Sequence, residues 1–356
     1  MTERISVFDL AGLDRLRRER QLDTRCVRRL RNNLLKRFQS DEVALAGFPD
    51  AERVAPHVLE IDRRLDSAID GATKLALRTS SGLLIESVLL RLATGRITLC
   101  VSSQVGCAAA CEFCATGKMG MARNLSVYEI LDQVLLAGQL LATEKRAIGN
   151  IVFMGMGEPF HNEENLYQTL DSLMAPELFH HSPTKILVST VGIPEAMLRC
   201  ANQFPAIKLA LSLHSVRQDV RESLIPLAKK YSLDELRRTI VEINRLTRST
   251  VMIEYLMLAG VNDALDDARE LIAWLNGLSV HVNLIPFNSI EDAPHLVSTD
   301  RLGRDSFARL LKAAGLKTTI RYSLGNDIAA ACGQLVRHEN KGRGSSAGNF
   351  GSRLLT

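Results

Sequence analysis

Ile97-Thr-Leu-Cys-Val-Ser102 runs through Ser-Gln-Val-Gly into Cys107-Ala-Ala-Ala-Cys111-Glu-Phe-Cys114. The first part is a short apolar, β-branched run of the kind that forms a buried strand. The second is a CxxxCxxC loop placed directly after that strand. Three thiolates this close can share one metal centre. A structural zinc site takes four protein ligands, and no further Cys or His lies nearby. A [4Fe–4S] cube bound by three thiolates keeps one iron open for a small molecule. The competing reading is a zinc knuckle that recruits a distant fourth ligand such as His161 or His214.

Outward from this stretch the pattern alternates. Apolar runs at 97–102, 150–154, 185–190, 207–213, 250–257, 280–285 and 318–322 predict strands. Between them, 126–141, 164–174, 194–202, 233–246, 264–275 and 301–313 carry helical spacing. Repeated βα units predict a parallel sheet covered by helices. About six such units suit a partial or full barrel with its chemistry at the C-terminal strand ends. Upstream, 74–78 and 83–90 predict a hairpin. Residues 1–72 read as a small helical accessory domain: Leu10, Leu13 and Leu16 open a first helix, Asp23 or Thr24 caps a second, and 43–45 and 58–61 suggest short ones. The barrel domain is drawn at 73–336. The tail, 337–356, is rich in Gly, Ser, Asn and basic residues and is expected to be disordered.

Composition narrows the class. The 356 residues carry a net charge of +4, so a polyanionic partner is permitted without being demanded. The distribution says more: between positions 15 and 37 stand ten basic residues, with only Glu19 and Asp23 opposing them. Such a run can neutralise phosphates or simply form a solvated helix face. Aromatic content of 5% does not point to a broad base-stacking platform. The N-terminal stretch has no signal-peptide pattern and no apolar run approaches a membrane span, so the expectation is a cytoplasmic protein with no membrane contact. Seven cysteines, three of them clustered, argue against a disulfide scaffold.

The wider sequence then becomes specific. Thr98-Leu-Cys-Val-Ser-Ser-Gln-Val-Gly-Cys107, Phe113-Cys-Ala-Thr-Gly117, Arg123-Asn-Leu125, Met154-Gly-Met-Gly-Glu-Pro159, Leu211-Ser-Leu-His214, Glu254-Tyr255, Gly260-Val-Asn-Asp263, Asn283-Leu-Ile-Pro-Phe-Asn288 and Asp327-Ile-Ala-Ala-Ala-Cys-Gly-Gln-Leu335 occur in that order. They resemble the RlmN/Cfr family of radical S-adenosylmethionine (SAM) RNA methyltransferases, from about residue 73 to 336. The resemblance implies a radical SAM partial (β/α)6-type barrel, a [4Fe–4S] cluster on Cys107, Cys111 and Cys114, and SAM chelated to its open iron. Gly157 and Glu158 would meet the amino end of SAM. Ser189, Ser212, Leu213, His214 and Asn288 would supply its other contacts.

Cys332 would be the methyl carrier, Cys100 its resolving partner through a transient disulfide bond, and Glu86 a proton acceptor. Read without the family, Cys332 and Cys100 would be buried inert thiols. Glu86 draws attention by itself, because an acid in Leu84-Ile-Glu-Ser-Val interrupts an apolar run.

The resemblance also implies a two-SAM ping-pong reaction. One SAM methylates Cys332. A second yields a 5′-deoxyadenosyl radical that activates this methyl for addition to an electrophilic adenine carbon, C2 or C8. Asp171-Ser-Leu and Leu178-Phe-His-His-Ser-Pro look closer to the carbon-8 group, while Pro159 and Asn288 fit the broader pattern, so both carbons stay open. The implied partners are 23S rRNA, with tRNA as a second target, and an electron donor such as flavodoxin or ferredoxin, the enzyme acting as a monomer. A radical SAM enzyme acting on another RNA site, and an iron–sulfur RNA-binding or redox-sensing protein without turnover, are the alternatives. A methylthiotransferase is disfavoured, since the cysteines outside the triad are single and scattered.

Overall fold

A computed structural model describes residues 4–335. Its main sheet has ten strands: β1 (Glu60–Asp66), β2 (Ala72–Arg78), β3 (Leu84–Arg91), β4 (Ile97–Cys100), β5 (Asn150–Phe153), β6 (Ile186–Thr190), β7 (Lys208–Ser212), β8 (Val251–Met257), β9 (Val280–Pro286) and β10 (Lys317–Ile320). They lie side by side in chain order. β1 to β4 form an antiparallel meander. From β4 to β10 every pairing is parallel. All seven predicted βα strands are present, and the predicted hairpin is the β2–β3 pair, with Leu77 opposite Ile85.

Each parallel connection needs a crossover, and helices supply it. Val127–Thr143, Glu163–Met174, Pro194–Gln203, Leu233–Thr247, Leu265–Leu275 and Arg301–Ala313 sit where the 3.6-residue spacing places them. Val127–Thr143 opens on a capping box in which the Ser126 side chain accepts from the Glu129 N–H and the Glu129 side chain returns to the Ser126 backbone. Sheet and helices close over a large apolar core that runs from Val7 and Leu13 in the N-terminal segment to Leu335, with a second, smaller apolar cluster around Cys107 and Cys111.

One expectation fails. The run at 58–61 is not helical. The Val58 and Leu59 N–H groups donate to the buried carboxylate of Asp132, and the chain then enters β1, paired antiparallel with β2. A short apolar run is ambiguous between helix and strand, and here a long-range hydrogen-bond acceptor decides. The sheet therefore begins at Glu60, upstream of the expected boundary at 73. The N-terminal helices Leu10–Glu19, Thr24–Arg31 and Asp41–Leu45 precede it, the second capped by Asp23 as expected. Residue 336 and the predicted tail lie outside the described residues.

Candidate active site

The C-terminal ends of the parallel strands and the loops after them bound a cavity of about 160 Å3. Cys107, Cys111 and Cys114 line one side of it. Their loop is built tightly. Gly106 has φ +82°, and a Cβ there would collide with the Gly120 carbonyl oxygen. Gly117 packs so that a Cβ would come within 2.8 Å of the Cys111 nitrogen. An apolar shell of Ala109, Ile225, Leu256, Ile285 and Phe287 surrounds the loop. Burial pushes the Cys107 thiol up to about 12 and the Cys111 and Cys114 thiols above their ordinary values. Three thiolates here need a positive centre to ionise. The buried Arg221 lowers the Cys111 pKa, and its guanidinium donates to the Val191 and Ser212 carbonyls. The His214 Nδ1, one candidate fourth ligand of a zinc knuckle, accepts from the Leu256 N–H at 3.1 Å.

Glu158, 2% exposed, lines the same cavity close to Cys107, whose thiol its backbone hydrogen-bonds. One of its carboxylate oxygens accepts from the Val191 N–H at 2.9 Å, the other from the Phe160 N–H at 3.1 Å. Burial raises its pKa to about 7, against those two N–H groups. An ammonium beside it would bring the carboxylate back to its charged form. Gly157, with φ +107°, packs so closely that a Cβ would meet the Gln104 side chain at 2.7 Å. Ser189, Ser212 and His214 also line the cavity. His214 has φ +61° and stacks edge-on against Phe113 at 4.8 Å. Burial, then Arg221, lowers its pKa to about 3. The ring is therefore neutral near pH 7, with Nδ1 accepting and Nε2 left as the donor.

A second cavity of about 490 Å3 lies inside the strands. Cys114, Met154, Gly155, Arg321, Cys332 and Gly333 line both cavities and so form the partition between them. Cys100, at the end of β4, lines only the larger one. Burial, and then Cys332, push the Cys100 thiol up to about 12, while Arg321 opposes this. The Cys332 loop is tied down from several sides. Gly333 accepts from the Ala115 N–H at 2.7 Å, inside the cluster loop, and Thr116 Oγ1 donates to the Leu335 carbonyl.

Three expected site residues stand differently from the rest. Asn288 lines neither cavity; its amide donates to the Cys332 carbonyl and to Ser323 Oγ, each at 3.0 Å. Leu213 is fully buried off the cavity wall, its N–H donating to the Glu254 carbonyl. Glu86 is also fully buried off both walls, 3.2 Å from the Lys74 ammonium, which donates in turn to the Ala329 carbonyl near Cys332. Sequence reasoning missed Arg321, Arg221 and Lys74. Each is a single cation in an unremarkable segment, and only long-range packing gives it a partner. Arg321 is held above its ordinary value chiefly by Cys332, against the cost of burial, with Glu254 and Cys100 adding. Glu254 was visible only within a motif; its carboxylate accepts from the Asn283 amide at 2.7 Å.

Residues 101–275 match the radical SAM superfamily. A protein of Rhodopirellula baltica named probable RNA methyltransferase is 58% identical over 96% of this chain and 90% of its own length. A protein of Thermosipho melanesiensis named probable dual-specificity RNA methyltransferase RlmN is 42% identical over 79% of this chain and 82% of its own. The crystal structure of a radical SAM methyltransferase from Sphaerobacter thermophilus superposes with a TM-score of 0.87 at 36% identity, covering 93% of this chain and 99% of that one.

Proposed function

The chain belongs to the RlmN family of radical SAM RNA methyltransferases, and from that membership we propose that it methylates an adenine carbon, C2 or C8, of structured RNA, with 23S rRNA as the main target and tRNA as a second. One observation carries the reading: Cys332 stands in the partition between two cavities, and Cys100 lines the larger. A methyl group on Cys332 can then be activated from one side and meet the base on the other.

The enzyme depends on a [4Fe–4S] cluster and SAM, as the radical SAM family implies. When bound, they supply the electron and the organic radical that activate the methyl group. The chain's own residues do the rest. Cys107, Cys111 and Cys114 would hold the cluster. Glu158 would take the ammonium of SAM, while Gly157 leaves room for it. The Ser189 and Ser212 hydroxyls and the His214 Nε2–H line the same wall as further polar contacts; Leu213, off the wall, would hold the Ser212–His214 segment in place through its backbone bonds to Glu254 and Ser215. Asn288 fixes the backbone of the Cys332 loop.

Cys332 carries the methyl; once its activated methylene has added to the base and the adduct has lost one electron and the proton of the attacked carbon, Cys332 remains bonded to the base through that methylene. Cys100, as thiolate, then attacks the Cys332 sulfur. The S–S bond forms as the sulfur–methylene bond breaks, and the methylene carbon takes a proton to become the product methyl. Arg321, beside both cysteines, favours the thiolate that starts this step. Glu86 is the proton acceptor of this reading; it lies two residues before Val88, a wall residue of the larger cavity on the same face of β3. Electrons would come from a flavodoxin or ferredoxin, with the enzyme acting as a cytoplasmic monomer. Among the described residues no helix is long and apolar enough to cross a membrane.

Mass spectrometry of rRNA and tRNA from a deletion strain, against 2-methyl- and 8-methyladenosine standards, tests the reading. The expected result is loss of one methyladenosine, restored by the gene but not by its Cys332→Ala form. Unchanged methyladenosine in both RNAs would refute it.

A further inference from the structure

The larger cavity has a second end. It runs down the strands from Cys100, Cys332 and Arg321 to the N-terminal strand ends, where Arg96, Lys185 and Lys208 line its wall. Arg96 directly precedes β4, Lys185 precedes β6 and Lys208 opens β7, with β5 between the first two, so the N-terminal ends of these parallel strands bring the three cations to the wall of one cavity. All three are exposed, and among the described residues none has a carboxylate within 4 Å. Among the described residues no Asp or Glu lines this cavity, and its charged groups are all cations. Between the ends the wall is uncharged, apolar at Val152, Leu187 and Met252 and polar at Thr98, Asn283 and Thr319.

A cationic rim over an uncharged shaft suits a polyanion that can send one uncharged, flat group inward. The length fits too. From Arg96 to Cys100 is four residues, roughly 13 Å of extended chain, and long basic side chains shorten the reach further. Resting on the proposed RNA methylation through Cys332, we propose that RNA docks on this rim, with Arg96, Lys185 and Lys208 holding the phosphates that flank the target adenosine, and that the flipped base enters the barrel from the end opposite the Glu158 cavity. The N-terminal basic face would then be a second, outlying contact. Separate doorways let SAM exchange while the base is still bonded to Cys332. Extraction of the base from its stack is the ordinary cost of chemistry on a nucleobase.

The test uses the full chain with its cluster assembled and a transcript of large-subunit rRNA as the probe. Arg96→Gln, Lys185→Gln and Lys208→Gln are combined. Each phosphate contact contributes about 0.7–0.9 to the slope of log affinity against log salt. The triple variant should therefore lose about 2 from that slope and bind at least tenfold more weakly near 0.1 M salt. A triple Lys/Arg swap at the same positions should keep the wild-type slope. In a Cys100→Ala background, the triple Gln variant should form protein–RNA adduct at least tenfold more slowly at limiting RNA, and recover at high RNA or low salt. Wild-type slope and adduct rate in the triple Gln variant would overturn the docking. If Cys100→Ala alone formed no adduct, the cysteine chemistry would be wrong, while the slope, which needs no chemistry, would still decide the docking.

Discussion

Cys332 lines both cavities and Cys100 lines only the larger one. The two thiols are 232 positions apart in the chain (332 − 100) and share a wall because β4 ends where the Cys332 loop folds back on the cluster loop. That asymmetry orders the two residues. The one reachable from both sides suits the carrier, and the one confined to the substrate side suits the resolver.

Removing each should therefore fail differently. Cys332→Ala should give neither methylated RNA nor adduct. Cys100→Ala should accumulate a covalent protein–RNA adduct bridged at Cys332, found by peptide mass spectrometry after nuclease digestion. The pair must be able to approach Cα separations of about 4.4–6.8 Å to form a disulfide. Normal turnover by Cys100→Ala, or an adduct at Cys26 or Cys200, would reverse the assignment.

Anaerobically purified protein should hold about four irons per chain. Ala at Cys107, Cys111 or Cys114 should remove cluster absorbance and activity together. Full activity with zinc in place of iron would contradict the three-thiolate cluster.

Reversing exposed Arg25, Arg28 and Arg29 to Glu should weaken RNA binding in a salt-dependent way. Arg31 is left out because it is half buried, with burial depressing its pKa. The reason is that phosphate contacts position RNA without chemistry. If filter binding at low salt showed no change, that helical face would belong to solvent.

Lys74 and Glu86 form a buried pair, with side chains 7% and 0% exposed. Lys74→Met should cost about 3–5 kcal/mol by stranding a buried carboxylate next to an apolar group. The double change Lys74→Met, Glu86→Leu should recover much of that stability in urea unfolding, while leaving methylation abolished if Glu86 accepts the proton. Equal destabilisation by single and double variants would show that the pair is not coupled.

His57 bridges the N-terminal segment to Val127–Thr143 through Asp132, Nδ1 to carboxylate 2.7 Å. Burial opposes the charged ring, but Asp132 and then Asp41 outweigh it, and the folded pKa is raised above 6.5. A raised folded pKa means the pair's stabilisation is fully present below the unfolded value and is lost as pH rises through the folded one. His57→Gln should therefore cost about 1–3 kcal/mol at pH 5.5–6, and less at pH 8.5. A cost in thermal or urea unfolding that grew with pH would invert the sign.

The parallel part of the fold was legible in the chain because its strands are short apolar, β-branched runs, several of them buried along most of their length, at regular spacing between helical stretches. The CxxxCxxC loop was legible because its ligands are local. The order of the family motifs carried the rest of the site at the level of residue names. Tertiary structure decided what depends on long-range partners. β1 is a strand because Asp132 captures the backbone before it, not because of its own pattern. Arg321, Arg221 and Lys74 acquire roles only where folding desolvates them beside Cys332, the cluster loop and Glu86. The family resemblance implied a SAM contact for Asn288 and a proton acceptor for Glu86, while packing turns the Asn288 amide onto the Cys332 carbonyl and sets Glu86 beside Lys74. Periodicity records which face of an element is buried, while a buried charge records its partner, and that partner is chosen by the fold.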